Sequence, residues 1–362
     1  MNYKVSKNKL HITGSSLKII CFITIKKRQH NVLLYKNNHY LCTTKLTDNT
    51  HNQKQSFLIK NMPSIKNFDE LTAHLASKGT KSRVAVVWAE DDVTRSAVLK
   101  ALEAGIITVT FVGCRQEIEA DERLAQYKSE FSIIDASDRD DAAAKAVTEV
   151  REDRANVLMK GLLNTDNLLR AVLNKETGIL PKGNVLTHVT VADIPELQRL
   201  LLFTDAAVIP CPTVDQRIEQ VKYVTKIAHA LHIEQPKISL IHCSEKVDER
   251  HFPCTGDYVI IKEKAANGEF GNCIVDGPLD LKTSLCYESM HHKGINSPIN
   301  GEADAVLFPE IESGNVFYKT ITLLCHAQTA GLLQGAKVPV VLPSRGDSIE
   351  SKFYSLAVAS AI

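Results

Sequence analysis

The sequence has no run of about 18 apolar residues, so it offers no membrane-spanning helix. It has no C-x-x-C, and its nine cysteines lie scattered between Cys21 and Cys325. An odd, scattered set is not a disulfide framework, and free thiols in a reducing cytoplasm are the plainer reading. Neither G-x-G-x-x-G nor G-x-x-x-x-G-K-[ST] occurs, which removes the usual dinucleotide and P-loop fingerprints. The nucleophile elbow G-x-S-x-G is missing as well. No internal repeat is found. Only 12 prolines interrupt 362 residues, of which 44% are hydrophobic and 23% charged, a globular composition with room for two α/β domains.

Acidic residues are what the first 61 positions lack. They carry 11 Lys+Arg against one acid, Asp48, whereas the other 301 carry 32 Lys+Arg against 41 Asp+Glu. The near-neutral total of +1 therefore hides an acidic body, which argues against a broad nucleic-acid surface. An anionic substrate must be met by a few local cations. The first apolar patch, 19–25, is followed by Lys26-Lys27-Arg28 rather than small residues, unlike a secretory signal. Residues 1–61 read as a basic extension, non-native or disordered, ahead of a start at Met62.

From Met62 onward, short apolar runs alternate with helical periodicity. The runs at 84–88, 107–112, 131–134 and 156–159 read as buried parallel strands, with helices at 92–104, 113–124, 138–150 and 166–173 between them. That alternation implies an α/β fold with doubly wound, mostly parallel sheets. A turn-rich break at Pro181 to Gly183 starts a second region, with strands at 185–191, 206–209, 238–241, 273–275 and 305–308, and helices at 214–231 and 315–333. A strand at 338–342 and a helix at 348–361 close the chain. The pattern gives domain one as 62–182 plus 338–362 and domain two as 183–337.

Two segments carry chemistry. Pro343-Ser344-Arg345-Gly346-Asp347-Ser348 joins the last strand to the last helix. Free N–H groups and the positive dipole end make such a junction an anion site. Arg345 adds a bidentate fork for phosphate oxygens, and Gly346 permits close backbone approach. The bland alternative is a capped helix, with Asp347 and Glu350 as a capping pair and Arg345 in solvent. In the second segment Lys160 and Gly161 end a strand, Asn164 is placed to cap the following helix, and Arg170 lies on that helix. His188 sits in an apolar strand, where a satisfied core histidine is the commoner outcome. Asp276-Gly277-Pro278 reads first as a turn, and His291-His292 as a surface loop.

With these residues on view, the chain resembles the phosphate acetyl/butyryltransferase family, nearest its butyryltransferase branch. The likeness rests on VLMKGLLNTDNLLRAVL, LTHVTVADIP, DAAVIPCPTVDQRIEQVKYV, VDGPLDL, ADAVLFPEIESGNVFYK and VPVVLPSRGDSIESK, in family order over nearly all of 62–362. It implies a two-domain fold like the isocitrate and isopropylmalate dehydrogenases, with the active site in the interdomain cleft. It also implies exchange of coenzyme A for phosphate on a short acyl group, so that acyl-CoA and inorganic phosphate are the partners. Coenzyme A is then a substrate, with no permanently bound cofactor, metal, membrane or nucleic acid, in a cytoplasmic homo-oligomer. Ser344 and Arg345 match the family's Ser-Arg pair on the phosphate. Substrate contacts are expected from Lys160, Gly161, Asn164, Arg170, His188, Asp276 and Asn315. Where acetyltransferases carry an Asp that deprotonates the thiol, this chain has Ser351, which leaves Glu350 as the neighbouring carboxylate. Acetyl specificity, or a silent protein that binds coenzyme A or acyl phosphate, are the competing readings. A same-fold oxidoreductase would need a D-x-x-x-D run on a late helix, which is absent.

Overall fold

A computed structural model describes residues 63–344 and 346–362, together with the backbone of two short strands in the N-terminal segment. Those strands, β1 (Thr24–Lys27) and β2 (His30–Leu33), pair antiparallel. The extension expected at 1–61 otherwise lies outside the described residues, as does Arg345.

The body runs α1 (Phe68–Lys78), β3 (Ser82–Val87), α2 (Asp92–Glu103), β4 (Ile107–Gly113), α3 (Arg115–Glu119), a 3-10 turn (Glu122–Tyr127), β5 (Phe131–Asp135), α4 (Arg139–Arg151), β6 (Val157–Lys160) and α5 (Thr165–Val172). It continues β7 (Thr187–Asp193), β8 (Leu200–Thr204), α6 (Val214–Ala230), β9 (Lys237–Ile241), α7 (Cys254–Ala266), β10 (Ile274–Leu279), α8 (Leu281–Leu285), α9 (Tyr287–His292), β11 (Ala305–Leu307), α10 (Ile311–Leu324), β12 (Gln328–Gln334), β13 (Val340–Val341) and α11 (Ile349–Ala361). Local chemistry sets many of these ends. Asp91 accepts from the Thr94 N–H ahead of α2, and Asp138 from those of Asp140 and Asp141 ahead of α4. Thr213 and Gln216 close a reciprocal capping box on α6.

Strands β3 to β13 form one sheet in the order β10-β9-β11-β8-β7-β12-β13-β6-β3-β4-β5. Two parallel blocks, β8 to β10 and β13 to β5, meet through β7 and β12, whose pairings with each other and with β8 and β13 are antiparallel. Strands β3, β4 and β5 advance in one direction across the sheet, and β6 then returns to the other side of β3.

Three parts of the sequence reading change. The stretch read as a helix over 315–333 ends at Leu324 and gives way to β12, the strand at the centre of the sheet. The strand expected at 206–209 lies earlier, at Leu200–Thr204. His291 and His292 end a short helix rather than sit in a loop.

The packing of the two sheet faces differs. One face carries a continuous apolar cluster that runs from Val84, Phe111 and Met159 through Ala330, Leu332, Val189 and Val191 to Leu202, Ile238 and Leu240. Helices α1, α2, α6, α7 and α11 contribute to it. The other face carries two separate clusters. One joins Ala85, Val87, Val112, Leu158, Leu333 and Val340 to α4 and α5. The second joins Ala192, Leu201, Phe203, Ile241 and Val306 to residues of α9 and α10. Between them a strip of β7 and β12 bears buried Thr190 with half-buried His188 and Gly331, where Gly331 pairs with Thr190 and Leu333 with His188.

Candidate active site

Strand β13 delivers the chain to Ser344. The Ser344 N–H donates to Asp347 Oδ2 at 2.7 Å, and the Asp347 N–H donates back to the Ser344 carbonyl at 3.2 Å. Asp347 is therefore not the helix cap expected from sequence. Ser348 is, accepting from the Ser351 N–H at 3.1 Å. Ser351 in turn donates its hydroxyl to the Thr329 carbonyl at 2.8 Å, which pins the first turn of α11 against β12.

One strand spacing separates β13 from the strand that ends in the other segment singled out in the sequence, because β13 pairs directly with β6. Lys160 ends β6, is buried, and donates from Nζ to the carbonyls of Gly161 (3.2 Å) and Leu163 (3.1 Å). Gly161 has no alternative at its position. A Cβ there would stand 2.4 Å from the Trp88 carbonyl oxygen and 2.6 Å from that of Val87. Its N–H donates to Val87 O, and the next N–H, of Leu162, to Trp88 O, both at 2.8 Å. Asn164 occupies the cap position of α5 with extended backbone, and Arg170 is exposed on the last turn of that helix. Ser344, Lys160, Gly161 and Asn164 thus cluster at the carboxyl ends of adjacent parallel strands.

His188 lies on the strip between the two separate cores. Its Nδ1 is 3.4 Å from Thr190 Oγ1, and a Cβ on Gly331 would come within 2.8 Å of its Nε2. A larger residue at 331 would fill the space in front of the ring. Burial holds the imidazole below its ordinary pKa of about 6.5, and the charges of Asp205 and Asp347 oppose that only in part. Tyr318, on α10, feels the same Asp347. Burial raises its phenol, Asp347 adds to the rise, and a hydrogen bond with Thr329 opposes it. Asp347 thus acts electrostatically on both His188 and Tyr318.

Asp205 fixes the backbone of this strip. Its buried carboxylate accepts five hydrogen bonds: from the Thr187 hydroxyl (2.6 Å) and from the N–H groups of His188 (3.1 Å), Ala207 (2.8 Å), Val208 (2.9 Å) and Ile209 (3.2 Å). Helix α10 packs directly on this corner. A Cβ on Gly314 would fall 2.1 Å from Asp205 O, and Asn315 Nδ2 donates to the Ala206 carbonyl at 3.0 Å.

Two expected residues stand apart from the cluster. Asp276 is on β10, the edge strand, six strand spacings or roughly 29 Å from β13. It is engaged by Lys262 Nζ at 2.7 Å and by the Ser297 hydroxyl at 2.6 Å. Glu350 turns to Lys100 of α2, at 3.2 Å, on the continuous-core side of the sheet, opposite His188. Its own backbone N–H and then Lys100 hold its carboxyl below the ordinary range. Sequence reasoning missed Asp205, which anchors the chain beyond β8, Tyr318, and Gly331, whose place beside His188 depends on the register of β12 against β7.

An α/β sheet that gathers Ser344, a buried lysine and Gly161 at neighbouring strand ends has the layout in which such sheets meet anions. The chain belongs to the phosphate acetyl/butaryl transferase family, whose model matches residues 136–360. It is 39% identical over 299 residues to the phosphate butyryltransferase of Clostridium acetobutylicum, covering 82% of this chain and 98% of that protein. It is 32% identical over 286 residues to the phosphate acetyltransferase of Thermotoga maritima, covering 78% and 96% respectively. It is also similar to the crystal structure of a branched-chain phosphotransacylase from Enterococcus faecalis V583, with a TM-score of 0.67, 29% identity, and coverage of 77% of this chain and 98% of that one.

Proposed function

We propose that this chain exchanges coenzyme A and phosphate on a four-carbon acyl group: butanoyl-CoA + phosphate = butanoyl phosphate + CoA. The observation that carries the reading is the junction of the Ser344 turn with the Lys160-Gly161 strand end, opening on the strip that bears His188. In the forward direction a phosphate oxygen attacks the thioester carbonyl, the C–O bond forms and the C–S bond breaks. In the reverse direction the thiol gives up a proton and its sulfur displaces phosphate. Ser344, Arg345 and the N-terminus of α11 hold the phosphate, with Lys160 and Arg170 adding positive charge. Donors of this kind, aimed at an oxygen that gains charge in the transition state, contribute roughly 3 kcal/mol each. Holding both substrates in line removes any need for a covalent enzyme intermediate.

The proton acceptor is better sought at His188 than at Glu350. Burial keeps His188 neutral near pH 7, and the charges of Asp205 and then Asp347 favour an imidazolium once one forms. Glu350 is a weakened base engaged with Lys100.

The body is read as two domains, 62–182 with 338–362 and 183–337, arranged like the isocitrate and isopropylmalate dehydrogenases around an interdomain cleft. The two separate cores on one sheet face support this reading. Coenzyme A is a substrate rather than a resident cofactor, and the protein works as a cytoplasmic homo-oligomer.

The test is phosphate-dependent release of coenzyme A thiol across an acyl-CoA series. Butanoyl-CoA is expected to exceed acetyl-CoA in kcat/KM by at least about tenfold, since each methylene is worth ~1–3 kcal/mol. A preference for acetyl-CoA reassigns the chain to acetyl transfer. No release with any donor leaves a silent protein that binds coenzyme A or acyl phosphate.

A further inference from the structure

Strand β13 is short, and it runs beside β12 only at Leu332 and Leu333. Earlier on β12, the flank turned away from β7 has no strand partner among the described residues. Helix α11 meets it instead. The Gly331 N–H donates to the Ser355 hydroxyl at 2.9 Å, and the Thr329 carbonyl accepts from the Ser351 hydroxyl at 2.8 Å. The two serines are also joined to each other, because Ser355 donates its hydroxyl to the Ser351 carbonyl at 2.7 Å. Four residues apart, they stand one above the other on a single face of the helix.

Open backbone groups inside a fold must find partners, and another strand is the usual one. Two hydroxyls on a helix do more than satisfy them. Apolar contacts between a helix and a sheet tolerate small slips, but hydrogen bonds weaken steeply with distance and angle. With its rungs at Thr329 and Gly331, the ladder fixes both the height of α11 along β12 and its rotation about its own axis. Ser355 is 2% exposed, so water is poorly placed to replace its bonds. Each end of the ladder leads to the site. Ser351 lies in the first turn of α11, where its N–H donates to the capping Ser348 hydroxyl at 3.1 Å. Gly331 lies against His188, whose Nε2 would be 2.8 Å from a Cβ at that position.

We infer that Ser351 and Ser355 are positioning residues, which hold the phosphate-binding N-terminus of α11 in register with β12 and His188. The inference rests on the acyl-transfer reading, in which that N-terminus holds phosphate, and adds the device that keeps the two halves of the site aligned. Neither serine touches substrate. Both act through the helix, so their loss should be felt at the phosphate rather than along the acyl-CoA.

The full-length parent is compared with Ser351→Ala, Ser355→Ala and Ser351→Thr. Alanine is the stronger helix former, so the alanine variants lose the rungs and keep the helix. Threonine keeps the hydroxyl at 351. Calorimetric titration with inorganic phosphate gives Kd, and phosphate-dependent thiol release from butanoyl-CoA gives both KM values on the same folded preparations. In each alanine variant Kd and KM for phosphate should rise about fivefold, the worth of one ordinary hydrogen bond. KM for butanoyl-CoA should stay within about twofold, and Ser351→Thr should match the parent within about twofold throughout. Alanine variants that only melt earlier, with phosphate constants unchanged, overturn the inference, since that is what bonds of purely structural value would do. Equal losses for phosphate and butanoyl-CoA overturn it too, as does failure of Ser351→Thr to restore phosphate binding. A parent that binds phosphate yet releases no thiol rejects the acyl-transfer reading, and the phosphate titrations then decide the ladder by themselves.

Discussion

Gly161→Ala is a single added methyl group with a calculable effect. The new Cβ would lie 2.4 Å from Trp88 O and 2.6 Å from Val87 O, both backbone atoms that cannot rotate away. The chain after β6 must lift off β3 by several tenths of an ångström. Overpacking of this kind costs about 1–3 kcal/mol. The lift also weakens the Gly161 and Leu162 hydrogen bonds to Val87 O and Trp88 O, at about 1 kcal/mol each. The sum, about 3–5 kcal/mol, corresponds to a fall in Tm of roughly 5–8 °C for a body of this size. Lys160 donates to the carbonyl of Gly161, so the same displacement moves a cation beside the Ser344 turn. A full 1 Å misplacement lowers turnover about a hundredfold, so a shift of several tenths should cost roughly tenfold. Calorimetry and thiol-release kinetics on the variant measure both effects. A Tm within about 2 °C of the parent and a kcat within about threefold would refute the close-approach argument.

His188→Gln should lower turnover at pH 7 by at least about 100-fold and recover partly near pH 8.5, where the thiol ionises unaided, while Glu350→Gln loses only an exposed ion pair and stays within about fivefold. The reverse ranking in a pH–rate series would restore Glu350 as the base. Because burial lowers the His188 pKa in the fold, the unfolded chain binds the proton first. Stability is therefore lost as pH falls from about 6.5 through the lowered folded value, and urea midpoints of His188→Gln should show a shallower acid decline. Asp205→Ala strands four N–H groups and should cost more than about 4 kcal/mol, read as loss of soluble folded protein or a collapsed urea midpoint. A chain beginning at Met62 should keep full activity and Tm, because the basic composition ends there; loss of soluble expression would show that 1–61 belong to the fold.

Where the sequence was readable, punctuation made it so. Gly105, at φ +70°, stands just past the end of α2, and Asp138 caps α4 one residue ahead of its start. Lys160, Gly161 and Ser344 stood out because each follows a short apolar run and precedes a helix. The failures have physical causes. Residues 206–209 look like a strand, but Asp205 takes the N–H groups of Ala207, Val208 and Ile209, leaving them none to give a ladder. α10 ends at Leu324 where His326 takes φ +50°, a role that glycine would have advertised and histidine does not. With β12 hidden inside a supposed helix, nothing in the linear pattern could bring Thr329 and Gly331 up to His188, or Tyr318 up to Asp347.

The unequal packing of the two sheet faces has a mechanical consequence. Bending the sheet along β7 and β12 toward the face with two cores would move those cores as separate bodies, breaking neither. On the opposite face the same bend must stretch a single core that runs past Val189, Val191, Ala330 and Leu332. Close-packed interiors resist such strain steeply. The architecture behaves like a stiff spine with a slit cut in one side. The unbroken core on the other face therefore limits any rotation about β7 and β12 to small angles.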